Sequence, residues 1–91
     1  MADIAKRVAR HFDVTMKQMR GPGRRQTVAQ ARRTAIYLVR KLTGCSFERI
    51  GRYFGGRDHS TVLYAYRKTE SLRRSDPQTR EVLESLENTL T

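Results

Sequence analysis

One cysteine, two prolines and six glycines are all that 91 residues contain of these types, and each shortage narrows the field. Cys45 has no partner for an intrachain disulfide, and with only His11 and His59 to help it cannot anchor a zinc site. No run of about 18 apolar residues occurs, which excludes a membrane-spanning helix. The opening residues Met1-Ala2-Asp3-Ile4-Ala5-Lys6-Arg7 lack the apolar stretch of a secretory signal, so a reducing cytoplasm is the expected setting. The pattern GxxxxGK[ST] is missing and no glycine is followed by lysine, so the phosphate cradle of an ATPase is not encoded. No nucleophile–base–orienter set is visible. Asp58 and His59 are neighbours, but adjacent helical residues point about 100° apart and do not naturally face each other. No catalytic residue, cofactor or metal ligand is therefore expected. Strand alternation, internal repeats and low-complexity tracts are lacking too.

What is present in excess is positive charge. The formal net charge is +10, and it is unevenly placed. Residues 1–74 carry 18 Lys/Arg against 5 Asp/Glu, a net of +13, whereas residues 75–91 carry one arginine against four acids, a net of −3. Fifteen of the nineteen cations are arginine, the residue suited to bidentate phosphate and guanine contacts. Such a field attracts polyanions, nucleic acid before anionic membrane.

Helical periodicity runs through the chain. Residues 3–12 read as a helix capped by Asp3, with Ile4, Val8 and Phe12 on one face. Thr15 caps a short turn through Met19. Gly21-Pro22-Gly23 breaks any helix, so residues 20–26 form an arginine-flanked loop. Residues 28–43 form the longest helix, with Val28, Ala31, Ala35, Leu38 and Leu42 as its apolar stripe. Arg32, Arg33, Arg40 and Lys41 lie away from most of that stripe, and Gly44 stops the helix. Ser46 caps the next helix, in which Phe47, Ile50 and Phe54 face inward. Gly55-Gly56 ends it, and Asp58 caps a further helix to about Arg74. Asp76-Pro77 opens the last helix, roughly 77–90, with Val82, Leu83, Leu86 and Leu90 inward.

Short helix, glycine turn and second helix follow in close order over residues 46–71, the grammar of a helix-turn-helix. On a helical wheel Val62, Leu63, Ala65, Tyr66 and Thr69 share one side of the second helix. Ser60, Tyr64, Arg67, Lys68 and Ser71 share the other. The first turn, Asp58-His59-Ser60-Thr61, is a polar tip of the kind that enters a major groove. Plainer readings stand beside this one. Asp58 is an N-cap in any case, His59 an ordinary surface histidine, Arg57 a surface charge or the partner of an acid, and Tyr66 and Phe54 are core.

The run Ile50-Gly51-Arg52-Tyr53-Phe54-Gly55-Gly56-Arg57-Asp58-His59-Ser60-Thr61-Val62-Leu63 resembles the signature IGxxFGGRDHTTVLxA of the C-terminal DNA-binding domain of the bacterial replication initiator DnaA. Ala35 to Thr43 is similar to that family's long central helix, and Val8 to Phe12 to its first. The likeness covers roughly residues 4–75 and is strongest over 28–74, with 76–91 as a plausible terminal helix. It implies an all-α fold with a helix-turn-helix, DnaA C-terminal or Trp-repressor-like, in one domain spanning residues 1–91.

The resemblance also assigns roles. It places Asp58, His59 and Ser60 on bases in the major groove, Arg24 in the minor groove, and Arg57 and Thr61 at the tip, both on the DNA backbone. Arg32, Arg33 and Arg40 hold the DNA backbone, as does the main chain near Phe47 and Glu48. Arg25 of the loop and the outward-facing Tyr64, Arg67 and Lys68 complete the expected backbone contacts. Arginine suits a narrow minor groove, and phosphate contacts fix register before bases are read.

Departures from the family pattern bear on the target sequence rather than the binding mode. Ser60 replaces the usual threonine and loses a methyl able to pack on a thymine methyl, worth about 1 kcal/mol or less. Glu48 stands where proline is usual, Gln30-Ala31 replaces Arg-Pro, Gly21-Pro22-Gly23 replaces part of a denser basic loop, and Tyr64 stands where histidine is common. The expected partner is double-stranded DNA, read at DnaA-box-like sites by a monomer at the bacterial nucleoid, in replication initiation or its regulation. The drifted positions, and Met1 directly before the first helix, favour a free-standing relative. A free-standing transcriptional regulator and a nonspecific architectural protein are the alternatives. Helix 76–91, being acidic, is the expected dock for any protein partner.

Overall fold

Short polar caps and left-handed stops cut the chain into its helices. A computed structural model describes residues 1–90, and among them it has six helices and no strand. They are α1 (Ala2–Phe12), α2 (Met16–Arg20), α3 (Gln26–Thr43), α4 (Phe47–Tyr53), α5 (His59–Ser75) and α6 (Pro77–Leu90). Asp13 turns left-handed at φ 55° and ends α1. Thr15 opens α2 with a capping box: its hydroxyl accepts from the Gln18 N–H at 3.0 Å, and the Gln18 side chain accepts from the Thr15 N–H at 2.9 Å. Gly44, at φ 71°, closes α3. The Ser46 hydroxyl accepts from the Arg49 N–H and starts α4. The expected role of Asp3 is corrected: Met1 holds the N-cap position, and Asp3 lies inside the first turn, where its charge favours the helix dipole.

α3 is the centre of the molecule. It packs against α1, α2, α4 and α5, so burial wraps around it instead of following one stripe. Val28, Ala31, Ala35 and Leu38 are buried as expected, but so are Thr34, Ile36, Tyr37 and Val39. Leu42, expected on the same stripe, is instead 37% exposed. Tyr37, Phe54, Met19, Leu38, Ile50 and Val62 are buried almost completely in one cluster fed by α2, α3, α4 and α5. Each such side chain contributes about 1.5–3 kcal/mol by leaving water.

α6 closes the other side of this core on α1 and α5, with Leu83 and Leu86 buried and Val82 and Leu90 half-buried. Glu87 accepts from Arg73 Nη1 at 2.5 Å and from Lys41 Nζ at 3.4 Å. Arg73 also donates to the Tyr37 hydroxyl at 3.2 Å, and the Glu87 carboxylate, with Tyr37 second, raises the Arg73 pKa further. Part of the acidic charge of this helix is thus used to hold it on the basic remainder of the chain. No described helix is long and apolar enough to cross a membrane.

Candidate nucleic-acid interface

The glycine turn sets the angle between α4 and α5. Gly51 is buried in α4, and its carbonyl accepts the Arg57 N–H at 2.9 Å, which folds the turn back against the helix. Gly55 and Gly56 both take left-handed backbone, at φ 84° and 75°. At Gly55 a side chain is excluded twice over, since a Cβ there would also collide with the Arg20 carbonyl oxygen. α5 therefore starts from a fixed turn.

Asp58, His59, Ser60 and Thr61 are all exposed at the α5 N-terminus. Asp58 holds the N-cap position, with extended backbone at ψ 144°, but its carboxylate makes no side-chain cap to the backbone. It accepts from the Ser60 hydroxyl at 2.6 Å and lies 3.3 Å from His59 Nδ1. The Ser60 hydroxyl chiefly, and then the His59 charge, hold the Asp58 carboxyl below the ordinary aspartate pKa. Asp58 and His59 do meet, contrary to the helical-wheel expectation, because Asp58 stands outside the helix and the 100° rule does not govern it. Both side chains are more than 60% exposed, so the pair is a solvated polar tip.

Beyond the tip the wheel reading of α5 matches the structure. Val62, Ala65 and Thr69 are buried, and Leu63 and Tyr66 half-buried. Tyr66 stacks on Tyr37 with ring centroids 5.1 Å apart. Tyr64 is 64% exposed, and Arg67 and Lys68 are exposed beside it.

The basic loop is short, because α2 extends to Arg20 and α3 begins at Gln26. Arg24 and Arg25 are exposed on it. Arg32 requires a correction. Its side chain is only 9% exposed, and it donates from Nε to the Met19 carbonyl at 2.8 Å. From Nη2 it donates to the carbonyls of Gln18, Gly21 and Gly23 at 3.0, 3.1 and 3.2 Å. It is an internal clamp on the loop, not a free surface cation.

Arg57 is likewise drawn inward. It donates from Nη2 to the Gly21 carbonyl at 2.7 Å and from Nη1 to the Phe54 carbonyl, so its partners are carbonyls rather than an acid. Burial lowers the pKa of both arginines, and the Arg57 charge lowers that of Arg32 further.

The other expected backbone residues divide. Arg40 bonds the Cys45 and Gly44 carbonyls at 2.9 and 3.3 Å and covers the Phe47 ring at 4.5 Å, tying the end of α3 to the start of α4. Glu48 is exposed in the first turn of α4. Arg33 is not brought to the tip. It lines a crevice with Phe12, Leu72 and Val82, and Leu72 lies about 18 Å along α5 from Ser60 at 1.5 Å per residue.

Arg20, expected as a flank of the loop, ends α2 instead, and Arg49 and Arg52 were not among the expected contacts. Arg20 donates from Nε to the Tyr53 carbonyl at 2.7 Å and covers the Tyr53 ring at 4.5 Å. Arg49 and Arg52 are exposed three residues apart on α4, a helical spacing that was available as a signal. An open groove lined by Arg20, Gly21, Pro22, Gly55 and Arg57 separates the loop from the glycine turn.

Two helices joined through left-handed glycines, the second with a polar exposed tip, define an all-α helix-turn-helix protein. The chain belongs to the family described as the bacterial DnaA protein helix-turn-helix, whose model matches residues 1–69. It is 47% identical over 88 residues to the chromosomal replication initiator protein DnaA of Levilactobacillus brevis, covering 96% of this chain and 19% of that protein. Against the same-named protein of Thermus thermophilus the identity is 43% over 89 residues, 98% of this chain and 20% of that one. The Cereibacter sphaeroides protein is 41% identical over 88 residues, 97% and 19%. The chain thus spans about a fifth of the length of these relatives.

Proposed function

We propose that this chain binds double-stranded DNA at sites like the DnaA box, TTATNCACA in type, and serves replication initiation or its regulation without hydrolysing ATP. One observation carries this reading: the exposed Asp58–Thr61 tip lies on the helix-turn-helix of a DnaA-family chain, with the exposed Arg24 and Arg25 loop braced against the same turn. Asp58, His59 and Ser60 read bases from the major groove, and Arg24 enters the minor groove. Arg25, Thr61, Tyr64, Arg67, Lys68 and the α4 N-terminus at Phe47 and Glu48 hold phosphates. Residues 1–91 work as one unit and as a monomer, at the nucleoid in the cytoplasm. The exposed Glu81 and Glu84 side of α6 is the surface left for a protein partner.

The test is equilibrium binding to a box duplex and a scrambled duplex at about physiological salt, with a His59→Ala control. The box should win by at least about 10³-fold, and His59→Ala should lose most of that preference. Equal affinity for both duplexes, with a steep salt dependence, would replace the reading with charge-only architectural binding.

A further inference from the structure

The loop and the recognition-helix tip meet on one atom. The Gly21 carbonyl oxygen accepts from Arg57 Nη2 at 2.7 Å and from Arg32 Nη2 at 3.1 Å. Arg57 comes from the turn directly before Asp58, and its other nitrogen holds the Phe54 carbonyl at the end of α4. Arg32 comes from α3 and gathers the carbonyls of Gln18, Met19 and Gly23 as well. Glycine and proline at 21–23 supply no side chain able to brace the loop, so its conformation rests on these carbonyl contacts. Arg20 adds a second tie through the Tyr53 carbonyl. Two arginines of like charge are held close together here, which is tolerated because carbonyl dipoles face both guanidiniums.

We infer that Arg57 and Arg32 are positioning residues that fix the Arg24 loop to the recognition-helix turn through the shared Gly21 carbonyl, so that both grooves are engaged by one preformed unit. The inference rests on the DNA-binding reading proposed above. A loop held in place before binding loses less entropy on binding than a free arm. The part of affinity owed to Arg24 should then depend on Arg57, even though Arg57 need not touch the DNA.

A double-mutant cycle on the full chain separates this from a direct phosphate contact. Affinity for the box duplex is measured for the wild type, Arg24→Ala, Arg57→Lys and the double variant, with folding checked by circular dichroism. Lysine keeps the charge but cannot reach two carbonyls with one planar fork. Arg57→Lys should weaken binding about as much as Arg24→Ala, and the double variant should be little weaker than either. The two losses should fail to multiply by about fivefold or more. Near wild-type binding by Arg57→Lys, or multiplying losses, would overturn the positioning role.

A measurement on the unbound wild type covers the case in which Arg57→Lys does not fold. Amide order parameters at Gly21, Gly23, Arg24 and Arg25 should match rigid backbone, about 0.85. Values below about 0.6 would overturn the proposal. Failure of the wild type to prefer the box duplex, with a rigid loop, would sink the DNA-box reading and leave the clamp standing.

Discussion

Gly51 offers a direct test of how the turn is set. Changing it to alanine places a Cβ inside the van der Waals shell of the Arg57 carbonyl oxygen, with the Arg57 carbonyl carbon at 3.2 Å and Val62 Cγ2 at 3.3 Å. The obstacle is backbone, and that backbone is tied to Gly51 itself by the Arg57 N–H bond. Relief therefore requires the turn to move away from α4. Overpacking of this kind costs about 1–3 kcal/mol. Stretching the Arg57 N–H bond adds about 1 kcal/mol, and the better helix propensity of alanine returns about the same amount. A net loss near 2 kcal/mol lowers Tm by about 8–16 °C in a domain of this size. Thermal unfolding followed by far-UV circular dichroism reads it. Gly23→Ala is the control, because a Cβ there meets only Val28 Cγ1, at 3.9 Å, and its Tm should stay within about 3 °C of wild type. A Gly51→Ala protein at least as stable as wild type would refute the account of the turn.

Two further outcomes follow from the same geometry. Lys68→Ala should reduce the slope of log affinity against log salt by about 0.9, the share of one phosphate, while Arg33→Ala, far from the tip, should leave the slope unchanged. At the start of α6 the Thr79 hydroxyl donates to Asp76 at 2.6 Å and chiefly holds that carboxyl below its ordinary pKa. A carboxyl depressed in the folded state stabilises above the ordinary aspartate range, near pH 4, and that stabilisation is lost as the pH falls below it. Thr79→Ala should accordingly melt lower than wild type at neutral pH and converge with it in acid. A Tm difference independent of pH would contradict this.

The parts of the molecule that were legible in the sequence are those governed by local rules. The wheel of α5 separates buried Val62, Ala65 and Thr69 from exposed Tyr64, Arg67 and Lys68 because one face of that helix meets the core. Thr15, Ser46 and Gly44 acted as their side chains or φ freedom dictate. Arg32 was not legible. Its partners are carbonyls 9 to 14 residues away, brought together only by tertiary packing, and an arginine in a polar position reads as a surface charge until those carbonyls are placed. Arg57 fails for the same reason, across 36 residues to Gly21. The stripe assigned to α3 was too narrow because periodicity finds one buried face, whereas four helices surround this one. The Asp58–His59 contact is invisible to a helical wheel because Asp58 stands just outside the helix.

On this reading one surface, made of the α5 tip and the Arg24 loop, meets the DNA. Titrating a box duplex into the nitrogen-labelled chain and following each backbone amide tests it directly. Large shift changes are expected at Asp58 to Tyr64 and at Gly21 to Arg25, with Glu81 and Glu84 on α6 left unmoved. Changes centred on α1 or α6, or spread evenly over every exposed cation, would contradict it.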